Sequence, residues 1–257
     1  MKIIILLLSS LLTAIYSQAA EISREDLKKA LDKNPDLLIE ALRSKKRDIL
    51  VMVIEAQEQE RAKARKAEED AEKKELYTAF KNPLKPEFDE KTRFRGNRDA
   101  KYTLVEYSDF QCPYCARGFQ VVEELRKKYG SDIRFVFRNK PLGMHPQAMP
   151  ASRYFEAVAI QSPEKAWEFH DKLFANQGAL SEQFYKDTAK AMGLNLKKLE
   201  ADANSPAVQA RIDAEIKEAE KFGFNGTPGY LLNGVPLRGA YPIERFIEII
   251  ARLDKGE

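Results

Sequence analysis

Cys112 and Cys115 are the chain's two cysteines, and only Pro113 and Tyr114 separate them. A thiolate is a nucleophile toward disulfides and a ligand for soft metals. Tyr102-Thr-Leu-Val-Glu-Tyr107 reads as a strand, and a helix is predicted from Cys112 to about Tyr129, with Pro113 in its first turn. A helix N-terminus carries free N–H donors and roughly half a positive charge, so the Cys112 thiol is expected below the ordinary value of about 8.5. Cys115 follows at i+3, where Cβ atoms lie about 5–6 Å apart. A modest adjustment closes a disulfide. In exchange chemistry the first thiol forms a mixed disulfide with another protein, and the second resolves it. Two other uses of the pair stay open. As a staple, so short a loop would contribute only roughly 2 kcal/mol. As a metal site, it has no third or fourth ligand at suitable spacing. His145 and His170 are too far apart for zinc-finger spacing.

The chain has 257 residues, 43 Lys plus Arg and 40 Asp plus Glu, for a net charge of +3. That balance argues against a nucleic-acid binder. Hydrophobic residues make up 44%, enough for a core, although 32% are charged. Ile133–Phe137 is a second predicted strand. A helical stretch over 147–222 is punctuated by Ser162-Pro163, Gly178, Gly193 and Ser205-Pro206. Asn233-Gly234 separates two short apolar runs and signals a hairpin turn. A closing helix is predicted from about Pro242 to Leu253. The order is β-α-β, a helical insert, β-β, then α, over residues 102–257.

The residues before this domain divide into three segments. Residues 1–19 read as a secretory signal: Lys2, an apolar run over 3–15, and Ser17-Gln18-Ala19 as a small-x-small cleavage site. Export places the cysteine pair in an oxidising compartment, expected to be the periplasm. Residues 20–80 are predicted helical, with a start at Ser23 and one helix of about 45 residues after Pro35. Its early part is apolar at Leu38, Leu42, Ile49, Met52 and Ala56, in a coiled-coil-like spacing, while 14 of the 21 residues from Glu55 to Glu75 are charged. Such a helix needs a partner for its apolar part. Self-association through 21–56, as a dimer or trimer, is favoured over packing on its own domain. Residues 81–101 read as a linker with a short edge strand near Thr92–Phe94.

Glu106-Tyr-Ser-Asp-Phe-Gln-Cys-Pro-Tyr-Cys115, followed by Gly226-Thr227-Pro228, closely resembles DsbA-like thiol–disulfide oxidoreductases of the thioredoxin fold. The resemblance runs from about Phe94 to the C-terminus. Within that family the chain is most similar to oligomeric suppressor-of-copper-sensitivity C proteins with an N-terminal extension. The resemblance implies an α/β thioredoxin-like fold with a helical insertion. It assigns Cys112 as nucleophile and Cys115 as resolving thiol. It makes Pro228 a cis-proline, with Thr227 offering backbone hydrogen bonds to a bound peptide, and makes Glu106 a buried acid relaying a proton to Cys115. Phe110, Pro113, Tyr114 and Tyr230, with Met144 and Phe224, are expected to form a substrate-binding rim. His145 is expected to cap or pack locally, and His170 to sit on a helix surface or in the core.

The resulting expectation is an exported, oligomeric disulfide isomerase or oxidoreductase whose redox group is its own Cys112–Cys115 disulfide, with no other cofactor or metal. Its partners would be unfolded or mis-bridged exported proteins and a membrane redox protein. Tyr114 stands where the most oxidising relatives place a His, so a less oxidising couple is expected. A plain dithiol oxidase is the first alternative. A copper-binding or envelope-assembly scaffold is the second.

Overall fold

The computed structural model describes residues 23–90 and 92–256. The expected signal segment 1–19 lies outside the described residues. The chain divides into two compact units, one up to Asp70 and one from Ala71.

In the first unit the helices are α1 (Arg24–Lys33), α2 (Pro35–Ser44) and the start of α3 (Lys46–Lys81). Ser23 caps α1, its hydroxyl accepting from the Asp26 N–H at 3.1 Å, and Pro35 opens α2. The single long helix expected after Pro35 is broken at Lys45. There Ser44 donates its hydroxyl to the Ala41 carbonyl at 2.7 Å, the local competition with the helix ladder that short polar side chains offer. Leu37, Leu38, Ile39, Leu42 and residues 50–54 are all 44–67% exposed. Among the described residues nothing in this unit is buried, so its apolar side chains have no core of their own.

The second unit is built on a four-stranded sheet ordered β2-β1-β3-β4. β1 (Tyr102–Ser108) runs parallel to β2 (Ile133–Asn139), and α4 (Pro113–Tyr129) connects them. β3 (Gly229–Leu232) pairs antiparallel with β1, and β4 (Val235–Arg238) with β3. Asn233 and Gly234 both take positive φ, 48° and 86°, the backbone of a type I′ hairpin turn. The sheet is covered on both faces. Leu104 joins the larger core with α4 and the closing helix α10 (Ile243–Asp254), while Val105 and Tyr107 pack with Phe222, Phe224 and Leu231. That is the period-2 alternation of a strand buried twice.

Between β2 and β3 lie α5 (Ala148–Gln161), α6 (Pro163–Ala175), α7 (Glu182–Ala191), α8 (Leu196–Ala203) and α9 (Pro206–Lys221). The Pro and Gly punctuation marks their ends. Ser162, Ser181, Asn195 and Ser205 each cap a helix with a side-chain oxygen. A buried polar knot fastens this insert to β2. Asn139 donates its side-chain amide to Glu156 (2.7 Å) and Glu215 (2.8 Å). Arg93 pairs with Glu156 at 2.6 Å and Arg138 with Glu215 at 3.3 Å. Charges this deeply buried are tolerable only when paired in this way.

Two segment boundaries differ from the sequence reading. The helical extension, expected to end at residue 80, gives its last turns to the second unit: Leu76, Ala79 and Phe80 are core, and Glu72 pairs with Arg245 at 2.8 Å. Spacing could not show this, because the mixed charges of 55–75 continue past Ala71 without a break. The edge strand expected at Thr92–Phe94 is a single bridge, Arg95 to Phe135. The segment before it is held by the Leu84 N–H, which donates to the Gly234 carbonyl at 2.9 Å. A Cβ at position 234 would collide with the Leu84 carbonyl, 2.3 Å away.

Phe80→Ala is therefore expected to destabilise the second unit by about 3 kcal/mol, the usual cost of emptying an aromatic core site. Leu38→Ala is expected to leave that transition unchanged. Denaturant titration of both variants checks the contrast.

Candidate active site

β1 carries the chain out of the sheet at Ser108, and Asp109, Phe110 and Gln111 turn it into α4. Cys112 is the N-cap of α4, with extended backbone (φ −71°, ψ 124°), and Pro113 occupies the first helical turn. Asp109 makes the turn: its Oδ1 accepts from the Gln111 N–H at 2.7 Å, an Asx turn. Its Oδ2 takes the Leu142 N–H at 2.9 Å and lies 2.7 Å from His145 Nδ1. Its own N–H donates to Cys115 Sγ at 3.4 Å. Gln177, from the insert, donates its amide to the carbonyls of both Phe110 and Cys112 at 2.9 Å. Asp109 and Gln177 had no place in the sequence reading. The Asp three residues before a helix-starting Cys was a readable signal; Gln177, 65 residues away, gave none.

The two sulfurs are unbonded thiols in unequal settings. The Cys112 thiol is held down to about 5, first by the neighbouring Cys115 thiol and, against burial, by Thr227 and the N–H groups of Cys115 and Tyr114. Burial pushes the Cys115 thiol up, and its hydrogen bond to Cys112 and the nearby Glu106 add to that. At neutral pH the first sulfur is a thiolate and the second a thiol.

Thr227–Pro228 is a cis peptide, and the Thr227 carbonyl oxygen lies 3.7 Å from Cys112 Sγ. This peptide thus stands beside Cys112. Glu106 is 1% exposed. Burial pushes its carboxyl up to about 8, opposed by hydrogen bonds from Ser108 (2.7 Å) and Tyr230 (3.5 Å).

The expected rim divides. Tyr114 and Met144 are 55% and 79% exposed, and Pro113 is exposed as well. The Arg117 guanidinium lies 4.4 Å from the centre of the Tyr114 ring. The other three are core. Phe110 is fully buried, stacked on Phe137 at 4.7 Å. Phe224 is wedged against Gly229 and Tyr107. Tyr230 points inward between the sheet and α4, because register places it opposite Glu106. Gly118 makes room for it: a Cβ there would lie 2.1 Å from the Tyr230 hydroxyl. These rings were misplaced because an aromatic beside a reactive cysteine fits a rim or a core equally well in sequence. His145 packs locally on Asp109, as expected, and His170 is buried among Phe110, Phe137 and Phe174. Among the described residues no group of three or more His, Cys, Asp or Glu side chains is arranged to hold a metal ion.

The fold is that of thioredoxin-like proteins. The family profile described as thioredoxin matches residues 89–252, and the chain belongs to that family. Among solved structures, a thioredoxin-like oxidoreductase from Silicibacter pomeroyi DSS-3 is 28% identical, covering 65% of this chain and 94% of its own, with a TM-score of 0.58. The thiol-disulfide exchange protein alpha-DsbA2 from Wolbachia pipientis is 20% identical, covering 73% and 98%, at 0.59. The catalytic domain of Proteus mirabilis ScsC is 20% identical, covering 70% and 96%, at 0.56. The last two likenesses speak for the fold. A Na(+)/H(+) antiporter NhaA from Herminiimonas arsenicoxydans is 35% identical over 174 residues, which are 68% of this chain and 27% of that protein. The chain thus matches about a quarter of the length of such curated relatives. Among the described residues no helix is long and apolar enough to cross a membrane.

Alkylation of the reduced protein by iodoacetamide is expected to proceed at full rate at pH 7 and to fall as the pH drops through about 5, where Cys112 gains its proton. Cys112→Ser should remove the reaction, since Cys115 stays a thiol. Rapid-quench mass spectrometry reads both.

Proposed function

We propose that the chain is an exported thiol–disulfide oxidoreductase that acts on protein disulfides, and that it works as an oligomeric isomerase. The observation that carries the chemistry is the pairing of a low Cys112 thiol with a buried, neutral Cys115. The Cys112 thiolate attacks a substrate disulfide, a bond forms to one substrate sulfur, and the other leaves as a thiolate. A substrate thiolate then attacks the mixed disulfide and the substrate departs with a new pairing, or Cys115 resolves it. An extended substrate segment would lie along the Thr227 backbone by strand addition, with Pro113, Tyr114 and Met144 as its apolar rim. Unfolded or mis-bridged exported proteins are the substrates this implies. A membrane redox partner would keep the couple poised in the periplasm.

The isomerase reading rests on the first unit. Its apolar side chains, exposed along α2 and the start of α3, support self-association through residues 21–56, as a dimer or trimer. Several sites on one assembly hold a mis-bridged substrate at high effective concentration. The low Cys112 thiol also favours the dithiol-oxidase reading, because stabilising the reduced thiolate makes the disulfide more oxidising.

Deleting residues 21–70 is expected to yield a monomer that still oxidises a dithiol peptide but loses most of its activity on a scrambled multi-disulfide substrate. Solution mass and refolding yield measure the two effects. Unchanged mass and unchanged refolding in the deletion variant would sink the oligomeric isomerase in favour of the oxidase.

A further inference from the structure

We propose that Ser108 carries the proton between Cys115 and Glu106 during thiol–disulfide exchange. The inference rests on the oxidoreductase reading above. Glu106 and Ser108 are two residues apart on β1, so their side chains share a face. The Ser108 hydroxyl donates to Glu106 Oε1 at 2.7 Å. The next N–H along the chain, that of Asp109, donates to Cys115 Sγ at 3.4 Å, which brings the end of the strand to that sulfur. Ser108 also lies near Cys115 and works against the burial that raises its thiol. Ser108, Glu106 and Cys115 are all buried, at most 1% exposed, so bulk water does not reach the sulfur. A hydroxyl both accepts and donates. It can pass a proton without adding charge where burial opposes charge.

The step balances in each direction. When a substrate thiolate attacks the Cys112–Cys115 disulfide at Cys112, the new bond forms there and the old one breaks. The electron pair goes to Cys115 Sγ. The Ser108 hydroxyl proton moves to that sulfur, and the Glu106 carboxyl proton moves to Ser108, leaving a carboxylate. When Cys115 resolves a mixed disulfide, its proton passes to Ser108 as the Ser108 proton passes to Glu106. The Cys115 thiolate then attacks Cys112, and the substrate sulfur leaves with its electron pair. The titratable groups that face Glu106 are Cys115 from α4 and Tyr230 from β3, with Cys112 beyond Cys115. α10, packed behind, presents Phe246 there.

The test uses the full chain, reduced, mixed with glutathione disulfide, quenched in acid and read by mass spectrometry. Ser108→Ala is expected to lengthen the life of the Cys112–glutathione mixed disulfide about a hundredfold, the low end of what positioned proton transfer contributes. Wild-type decay should quicken as pH rises through about 8, where Glu106 becomes a carboxylate, and the variant should flatten that rise. Iodoacetamide should alkylate Cys112 equally fast in both, a readout that a merely disturbed site would move. Glu106→Gln should slow resolution too, and adding Ser108→Ala to it should slow it no further. Resolution at the wild-type rate and pH profile in Ser108→Ala, or full additivity of the two substitutions, would overturn the relay. A wild-type chain that forms no mixed disulfide at all overturns the oxidoreductase reading and the relay with it.

Discussion

Cys115 is a buried thiol that favours the thiolate form of Cys112, a sulfur at a helix N-terminus, and the second unit is organised to keep those two settings different. One turn of α4 separates the sulfurs. The N-cap position gives Cys112 the N–H groups of Tyr114 and Cys115. The same turn drives Cys115 into the space between helix and sheet, where burial opposes its ionisation. Neither setting belongs to the C-x-x-C sequence alone. Both require α4 to start where β1 ends, with its first turn pressed on the sheet.

That requirement explains parts of the fold beyond the cysteines themselves. The turn from β1 into α4 is pinned by Asp109, whose two carboxylate oxygens hold Gln111 on one side and the loop after β2 on the other. Gln177 grips the same turn from the insert. The insert is in turn fastened to β2 through Asn139 and its paired charges. The helical insert is therefore part of the mounting of the cysteine pair as well as a cover for the sheet.

Much of this was legible in the sequence because it is local. The strand before Cys112, the Pro after it, the Asn-Gly hairpin and the Ser and Asn caps are short patterns with a direct physical cause. The helical insert is marked by its own punctuation. What could not be read was set by distant partners. Whether Phe110 faces solvent depends on Phe137 and Phe174, which arrive from other elements. Tyr230 faces inward because β3 pairs with β1 in a register that a four-residue strand does not announce. The end of the extension was hidden because a charged helix face looks the same whether or not its opposite side, here Leu76 and Phe80, meets a core. Ser108 was one letter of a strand until α4 brought Cys115 to the strand's end.

Gly118 places the proton chemistry at the mercy of a residue with no functional group. The missing methyl lets the Tyr230 hydroxyl sit against α4, and a Cβ placed there would also stand 3.4 Å from the Pro228 ring. Any side chain at 118 must push the tyrosine off Glu106 or lift the helix that carries both cysteines. Substitution there would thus read out as a change in acidity and potential rather than as a loss of sulfur. For anyone redesigning this scaffold, the redox couple can be retuned from one turn beyond it, through a position that a survey of reactive groups would pass over.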